Sequence, residues 1–240
     1  MEISMCKNEK AAIVTGASSG IGWAVSRTLC EMGYQVFGIG RDFSAHAGEE
    51  GIEHFHPIVC DLLNTEQLIA QIKEIRAGSR VETLINNAGT GYYGLHEELN
   101  PYKIQKMVRT NLEVPMILTN LLLRDLKKNE GNIINISSVT AQKSNPHGCA
   151  YGATKAGLSS FSQSLFDEAR KYGVRVTAIQ PDMTKTNLYR HADFKEADAP
   201  DTYLAPEEVA EAVRFILSRR KGSNITELTL TPQKHRIARK

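Results

Sequence analysis

The chain has 240 residues, 41% hydrophobic and 23% charged, which fits a soluble globular protein of one large α/β domain or two small ones. A net charge of +2 is too small to argue for nucleic acid or a membrane surface as a partner. No run approaches the roughly 20 apolar residues of a membrane span, and the N-terminus, with Glu2, Lys7, Glu9 and Lys10, lacks the apolar core of a signal peptide. The expectation is a cytoplasmic protein. The predicted elements then run in order: strand 11–15, helix 21–31, strand 35–39, strand 55–60, helix 65–76, strand 83–86 and helix 101–128. Strand 132–137, helix 151–172, strand 175–180, helix 206–219 and strand 227–230 complete the series. Several strands are continuously apolar rather than alternating, as strands are when both faces of a sheet are covered. Gly33 and Gly173 each close a helix. Thr65, Gln67 and Leu68 mark a helix start, and Pro206 with Glu207 and Glu208 suits a first helical turn.

Strands alternating with helices along the whole chain predict a parallel sheet with helices on both faces. Right-handed crossovers leave the Rossmann-type doubly wound α/β sheet as the common solution. No linker or repeat interrupts it, so 1–240 reads as a single domain. The one long irregular stretch, 182–205, has the length of a mobile segment or a lid over a substrate. Cys6, Cys30, Cys60 and Cys149 match neither a disulfide framework nor a CxxC metal site, so no metal is expected and a reducing compartment fits. The basic ending, Lys234, His235, Arg236, Arg239 and Lys240, reads either as a solvated tail or as a phosphate-binding patch.

Chemistry concentrates at strand ends. Thr15-Gly16-Ala17-Ser18-Ser19-Gly20-Ile21-Gly22 joins the first strand to the first helix. Glycine there permits a tight turn and close approach of a pyrophosphate, and the helix N-terminus offers free N–H groups to it. The second strand ends at Gly40 and Arg41. An acid at this strand end would accept hydrogen bonds from ribose hydroxyls and repel a 2′-phosphate. Gly40 is no acid, and the Arg41 guanidinium can hold a phosphate. The pair favours NADP(H) over NAD(H), although Asp42 weakens the argument and Arg41 could be a solvated loop charge. Ser137 and Ser138 end the fifth strand, where a hydroxyl can hold a substrate oxygen or simply make a turn. Asn86-Asn87-Ala88-Gly89 offers a small polar turn at the end of the fourth. Tyr151 and Lys155, four apart, share a helix face. An ammonium beside a phenol lowers its pKa, and such a pair can carry a proton to or from an alcohol oxygen.

These motifs, in this order and spacing, resemble the short-chain dehydrogenase/reductase family in its compact form, over nearly the whole chain from Ala11 to about Leu230. The resemblance implies an NADP(H)-dependent oxidoreductase that interconverts a carbonyl and a secondary alcohol on a small-molecule substrate. It implies catalytic roles for Asn111, Ser138, Tyr151 and Lys155. Ser138 would hold the carbonyl oxygen, and Tyr151 would donate the proton. Lys155 would lower the tyrosine pKa and bind the nicotinamide ribose, and Asn111 would position a water. Cofactor contacts are implied for Gly16, Ser18, Ser19, Gly20, Ile21, Gly22, Arg41, Asp61, Leu62, Asn87, Ala88, Gly89, Tyr151, Lys155, Pro181, Thr184 and Thr186. The alternative is an NADP-binding regulatory or interaction protein with little turnover.

Two departures stand out. Asp182 follows Pro181 where the family has glycine, so Asp182 either takes an unusual backbone or faces solvent. The ending 225–233 lacks the glycine-rich segment of acyl-carrier-protein ketoreductases, which argues against a fatty-acid role. Substrate contacts are expected from 90–95, 140–149 and 182–203, with Tyr92, Tyr93, His147, Tyr189 and Tyr203 as candidate lining. The resemblance further implies a homodimer or homotetramer through helices 101–128 and 151–172, with Leu158, Phe161, Leu165 and Phe166 as apolar residues of that surface.

Overall fold

Alternation of the side chains along each strand explains why the strands are apolar throughout. Ala11 and Ile13 point to one side of the sheet and Ala12 and Val14 to the other, all fully buried. The computed structural model describes residues 9–46, 52–234 and 236–240. Cys6, Glu2, Lys7 and His235 of the sequence expectations lie outside them.

Seven parallel strands form the sheet: β1 (Lys10–Thr15), β2 (Gln35–Gly40), β3 (Phe55–Val59), β4 (Arg80–Asn86), β5 (Asn132–Ile136), β6 (Arg175–Pro181) and, last in the chain, β8 (Glu227–Leu230). Their spatial order is β3-β2-β1-β4-β5-β6-β8. The strand order reverses between β1 and β4, so a crevice opens there at the carboxyl ends of the strands. Helices α2 (Thr65–Gly78), α4 (Val114–Asn129) and α5 (Cys149–Ala169) pack one face through Leu68, Ile72, Leu118, Leu122, Leu126 and Leu165. Helices α1 (Gly20–Glu31) and α6 (Pro206–Leu217) pack the other through Val25, Leu29, Val209, Val213 and Ile216. This is the doubly wound Rossmann-type sheet, with a hydrophobic core on each side.

Local signals behave as their chemistry dictates. Gly33 and Gly173 take left-handed φ of 76° and 77° where helices end. The cap of α2 is Asn64, one residue before the expected start, and its side chain accepts from the Gln67 N–H at 3.1 Å. Pro206 opens α6, and Glu208 accepts from the Ala205 N–H at 2.7 Å. Helix 101–128 is interrupted: α3 (Pro101–Val108) passes into a π-helical turn, Arg109–Glu113, before α4 resumes.

Two elements were not anticipated. Within 182–205, β7 (Phe194–Glu196) is an ordered strand, and the chain's last segment supplies its antiparallel partner, β9 (Ile237–Arg239). The C-terminal segment is therefore no solvated tail. Lys234 pairs with Asp201 at 2.7 Å and also donates its backbone N–H to the Asp201 carbonyl at 2.8 Å. Lys240 donates its Nζ to the Tyr189 carbonyl at 2.6 Å. Leu158 and Leu165 are 1% and 5% exposed, inside this chain's own core, so they cannot serve a surface between copies.

Candidate functional site

The crevice begins at the glycine turn. Gly16 and Gly20 adopt φ of 65° and 52°, which a side chain would strain. Gly22 plays a different part: a Cβ there would stand 2.1 Å from the Gly16 carbonyl oxygen and 2.5 Å from Asn87 Nδ2. Gly22 does not line the cleft, whereas Gly16, Ser18, Ser19, Gly20 and Ile21 do. The expected contact of Gly22 is thus corrected to packing of the turn against the helix.

Thr15 ties that turn to β4. Its hydroxyl accepts from the N–H groups of Asn87 and Ala88, each at 3.0 Å. Asn87 Nδ2 donates to the carbonyls of Thr15 (2.9 Å) and Gly16 (3.3 Å). Asn86 donates to Asn135 at 2.8 Å, and Asn135 donates to Ser162 on α5 at 2.7 Å. The asparagines of Asn86-Asn87-Ala88-Gly89 therefore lock strand ends to one another and to α5. Ser19 caps α1 with an extended backbone, yet its side chain makes no capping bond, and the first turn of α1 contains no acid. The N–H groups of that turn are left to an anion, favoured also by the helix dipole.

At the outer end of the cleft lie Arg41, Asp61 and Leu62. Gly40 has a steric reason to be glycine, since a Cβ would meet Ser18 Cβ at 2.9 Å and Phe43 at 3.0 Å. An acid cannot enter there without moving both. Asp42 is occupied locally. Its carboxylate accepts from the Ser44 N–H at 2.8 Å, and the bonds to Ser44 hold its pKa below the ordinary value. Asp61 accepts from the Leu63 N–H at 3.0 Å while lining the cleft.

The inner end gathers Ser138, Tyr151 and Lys155. The serines divide their work. Ser137 donates to the Lys155 carbonyl at 3.0 Å and pairs with Ser159 at 2.8 Å, which fastens β5 to α5. Ser138 accepts from the Thr140 N–H (3.2 Å) and hydroxyl (3.0 Å), and its hydroxyl is close enough to the Tyr151 phenol to lower the phenol's pKa. Tyr151 is 4% exposed and Lys155 3%. Burial pushes the Tyr151 phenol up to about 12, and the Ser138 hydroxyl pulls it partly back. Burial brings the Lys155 ammonium down to about 8. Its Nζ lies 5.8 Å from the Tyr151 ring centroid and donates to the Ile136 carbonyl at 2.7 Å.

Asn111 sits fully buried in the π-helical turn. Its Nδ2 donates to the Thr90 carbonyl (2.9 Å) and Thr154 hydroxyl (3.0 Å), and its Oδ1 accepts from the Thr90 N–H (2.9 Å). Both amide hydrogens are committed, so Asn111 holds the strand-end loop and does not line the cleft. Between them, Gly89 leaves a gap: a Cβ there would lie 3.7 Å from both Asn111 Oδ1 and Lys155 Nζ.

Pro181, Thr184 and Thr186 line the cleft as expected. Thr184 donates to the Asp182 carbonyl at 2.9 Å, and Thr186 accepts from the Leu188 N–H at 3.3 Å. Asp182 has no left-handed φ, so it needs no glycine-like backbone. It accepts from the Met183 N–H at 2.8 Å and lines the cleft. Asn187, Leu188, Tyr189 and Arg190 line it as well, facing Lys106 and Thr110. Tyr93 packs against Tyr151, Tyr189 and Phe194 with centroids 5.6, 5.9 and 5.2 Å apart. Burial first, then neighbouring tyrosines, raises the Tyr93 phenol far above its ordinary value. Tyr92 stacks on His191 at 5.2 Å. His147 is exposed and joins only through its carbonyl, which accepts from the Gly94 N–H, while Tyr203 packs under Lys185. Phe194 and Arg190 fall inside the expected contact range 182–203 without being singled out, and Lys106 lies outside every expected range. Phe194 stood in a segment read as irregular, and the two cations gave no motif.

The residues present fit a dinucleotide. The glycines of the turn, the N–H groups of the first turn of α1 and the cation at Arg41 lie along one cleft that reaches Tyr151. A sequence model of the short chain dehydrogenase family matches residues 10–197. Serine 3-dehydrogenase of Agrobacterium fabrum is 33% identical, covering 92% of this chain and 92% of that protein. A 3-oxoacyl-[acyl-carrier-protein] reductase of Rickettsia bellii is 31% identical, covering 92% and 94%. Among solved structures, an alcohol dehydrogenase of Thermococcus sibiricus complexed with 5-hydroxy-NADP superposes with a TM-score of 0.85 at 26% identity, covering 95% and 99%. The closed form of a serine dehydrogenase complexed with NADP+ gives 0.80 at 28% identity, covering 92% and 94%. The near-equal identities to the first two relatives do not separate an acyl-carrier-protein substrate from a small hydroxy acid.

Proposed function

The chain belongs to the short-chain dehydrogenase/reductase family of oxidoreductases acting on CH–OH groups, and from that premise we propose that it is an NADP(H)-dependent carbonyl reductase in which Tyr151 carries the proton. The observation that carries this reading is the buried Tyr151 phenol at the inner end of the cleft that starts at the glycine turn, with Ser138 and Lys155 lining the same end. When bound, the dinucleotide supplies or accepts the hydride. The N–H groups of α1 hold its pyrophosphate, and Arg41 takes the 2′-phosphate.

Ser138 holds the substrate oxygen beside the phenol. A phenol raised to about 12 stays protonated at neutral pH, so it is ready to donate to a forming alkoxide. Lys155, still largely charged at neutral pH, stabilises negative charge that develops on Tyr151 during transfer. Asn111 acts at one remove, fixing Thr90 beside Gly89. The segment 182–205 serves as the lid, and the aromatic group of Tyr93, Tyr189 and Phe194 keeps water from the reacting oxygen. We also infer that the protein works as a homo-oligomer.

The test is NADPH oxidation with a panel of ketones and keto esters. Tyr151→Phe is expected to lower kcat by roughly 100- to 10,000-fold while binding NADPH with unchanged Kd. Equal turnover by that variant would remove Tyr151 from the reaction. A biological effect that survives in the inactive variant would favour the regulatory alternative.

A further inference from the structure

Near the Tyr92–His191 ring pair, basic side chains from three separate parts of the chain come close to one another. Helix α3 contributes Lys103, whose Nζ lies 5.5 Å from the Tyr92 ring centroid, and Lys106, which lines the cleft. The lid contributes Arg190, also in the lining, and His191, stacked on Tyr92 at 5.2 Å. Strand β9 is followed by Lys240, anchored through the Tyr189 carbonyl at 2.6 Å. Arg190 donates to His191 Nε2 at 3.1 Å and to the Asn187 carbonyl at 3.1 Å. Among the described residues, none of Lys103, Lys106, Arg190 and Lys240 pairs with a carboxylate, although Lys195 and Lys234 nearby both do.

His191 records the crowding. Desolvation first, then the like charges of Arg190, Lys103, Lys106 and Lys240, hold its pKa below the ordinary histidine value, and no acid opposes them. After burial and Tyr151, the carboxylates of Asp182, which lines the same cleft, and of Glu196 raise the Tyr189 phenol, and Asp193 accepts through its carbonyl from the Lys240 N–H at 2.8 Å. Gathering the unpaired cations Lys103, Lys106 and Arg190 at one mouth is unfavourable by itself, and it creates a field that attracts anions into the cleft.

We propose that this rim is an anion subsite for the substrate: the carbonyl compound carries a carboxylate or phosphate, gripped by Lys106 and Arg190 and steered by Lys103 and Lys240. The inference rests on the carbonyl-reductase reading and names its substrate class. Arg190 can form a paired, charge-assisted contact with either anion, and Lys106 adds a point charge from the opposite wall.

Binding without turnover tests it. The full chain with saturating NADP+ is titrated calorimetrically with two matched pairs: acetoacetate against ethyl acetoacetate, and dihydroxyacetone phosphate against dihydroxyacetone. At least one anion should bind about tenfold tighter than its neutral partner, with the advantage shrinking as salt is raised. The first pair reads carboxylate, the second phosphate. The double variant Lys106→Ala/Arg190→Ala should erase the advantage and leave the NADP+ Kd unchanged. Lys103→Ala/Lys240→Ala should reduce it through the weaker field. Equal binding within both pairs, no binding of either anion, or an advantage that survives the first double variant would overturn the proposal. So would an equal loss of NADP+ affinity, because the cations would then serve the dinucleotide. Failure of the carbonyl-reductase reading appears elsewhere, as absent NADPH oxidation across the ketone panel.

Discussion

Gly22→Ala tests whether close packing at this glycine locks the turn in place. The added Cβ would lie 2.1 Å from the Gly16 carbonyl oxygen, 2.7 Å from the Gly16 carbonyl carbon and 2.5 Å from Asn87 Nδ2. Two of the three atoms are backbone, so no rotamer change relieves the overlap. Overpacking of this kind costs about 1–3 kcal/mol. Displacing Asn87 also breaks its bonds to the Thr15 and Gly16 carbonyls, at about 1 kcal/mol each. The sum is about 3–5 kcal/mol, or a fall in Tm on the order of 10 °C for a chain of this size. Gly78→Ala is the control, since nothing lies within 4 Å of its Cβ position. It should be neutral or slightly stabilising, as alanine is the better helix former. Urea unfolding gives the stabilities and fluorescence titration gives the NADPH Kd. Because the turn itself moves, Gly22→Ala should weaken NADPH binding as well. A Gly22→Ala protein as stable as wild type would refute the argument that β1, β4 and α1 are locked together at this point.

Three further outcomes follow from the geometry. Arg41→Ala should weaken NADPH by roughly 10- to 100-fold, the value of one charge-assisted contact, and leave NADH unchanged; equal losses for both cofactors would sink the 2′-phosphate assignment. Lys155 gives a pH signature in the protein measured without added cofactor. The folded chain releases this proton near 8, whereas the unfolded chain keeps it to about 10.4. The unfolded state therefore holds more protons across that window, and the Lys155 contribution to stability rises with pH through it. Tyr151 acts in the opposite sense at higher pH, because the folded phenol keeps its proton up to about 12. Lys155→Met should lack the rise, so urea midpoints of wild type and variant should change their separation between pH 7 and 10, and parallel curves would contradict a buried, depressed lysine. Finally, a chain ending at Pro232 loses β9 and the Lys234–Asp201 and Lys240–Tyr189 ties. Its ketone KM should rise several-fold with little change in NADPH Kd, whereas an unchanged KM would detach the C-terminal segment from the lid.

The parts of this molecule that were legible in the sequence are those whose cause is local. A strand buried on both faces must be apolar at every position, as Ala11-Ala12-Ile13-Val14 is, and a helix that ends in left-handed backbone leaves a Gly33 or Gly173 behind. The residues of the glycine turn and the Tyr151–Lys155 spacing are likewise set by one turn and one helix face. What adjacent residues do for one another was less visible. Gly22 and Gly20 look alike in a motif, yet one faces a carbonyl oxygen and the other lines the cleft. Ser137 and Ser138 are equivalent as letters, and only the placement of α5 turns one toward Ser159 and the other toward Tyr151. Asn87 reads as a cleft residue and does line the cleft, but its amide also joins the ends of β1 and β4.

The segment 182–205 was illegible for a stronger reason. Strands β7 and β9 are three residues each, Phe194–Glu196 and Ile237–Arg239, and each carries charge within its span. Neither has the length or alternation by which a strand announces itself, and neither would persist alone, since an isolated short pair is marginal in water. They exist because the chain after β8 doubles back over the cleft and is held by Lys234 on Asp201 and Lys240 on Tyr189. The same return brings a cation to the mouth beside Arg190 and His191 and sets Phe194 against Tyr93. Positions 194 and 240, more than 40 residues apart, thus both pack against Tyr189, which lines the cleft. A pattern search along the chain sees a loop and a basic tail, whereas the physics of the site requires them to be read as one structure.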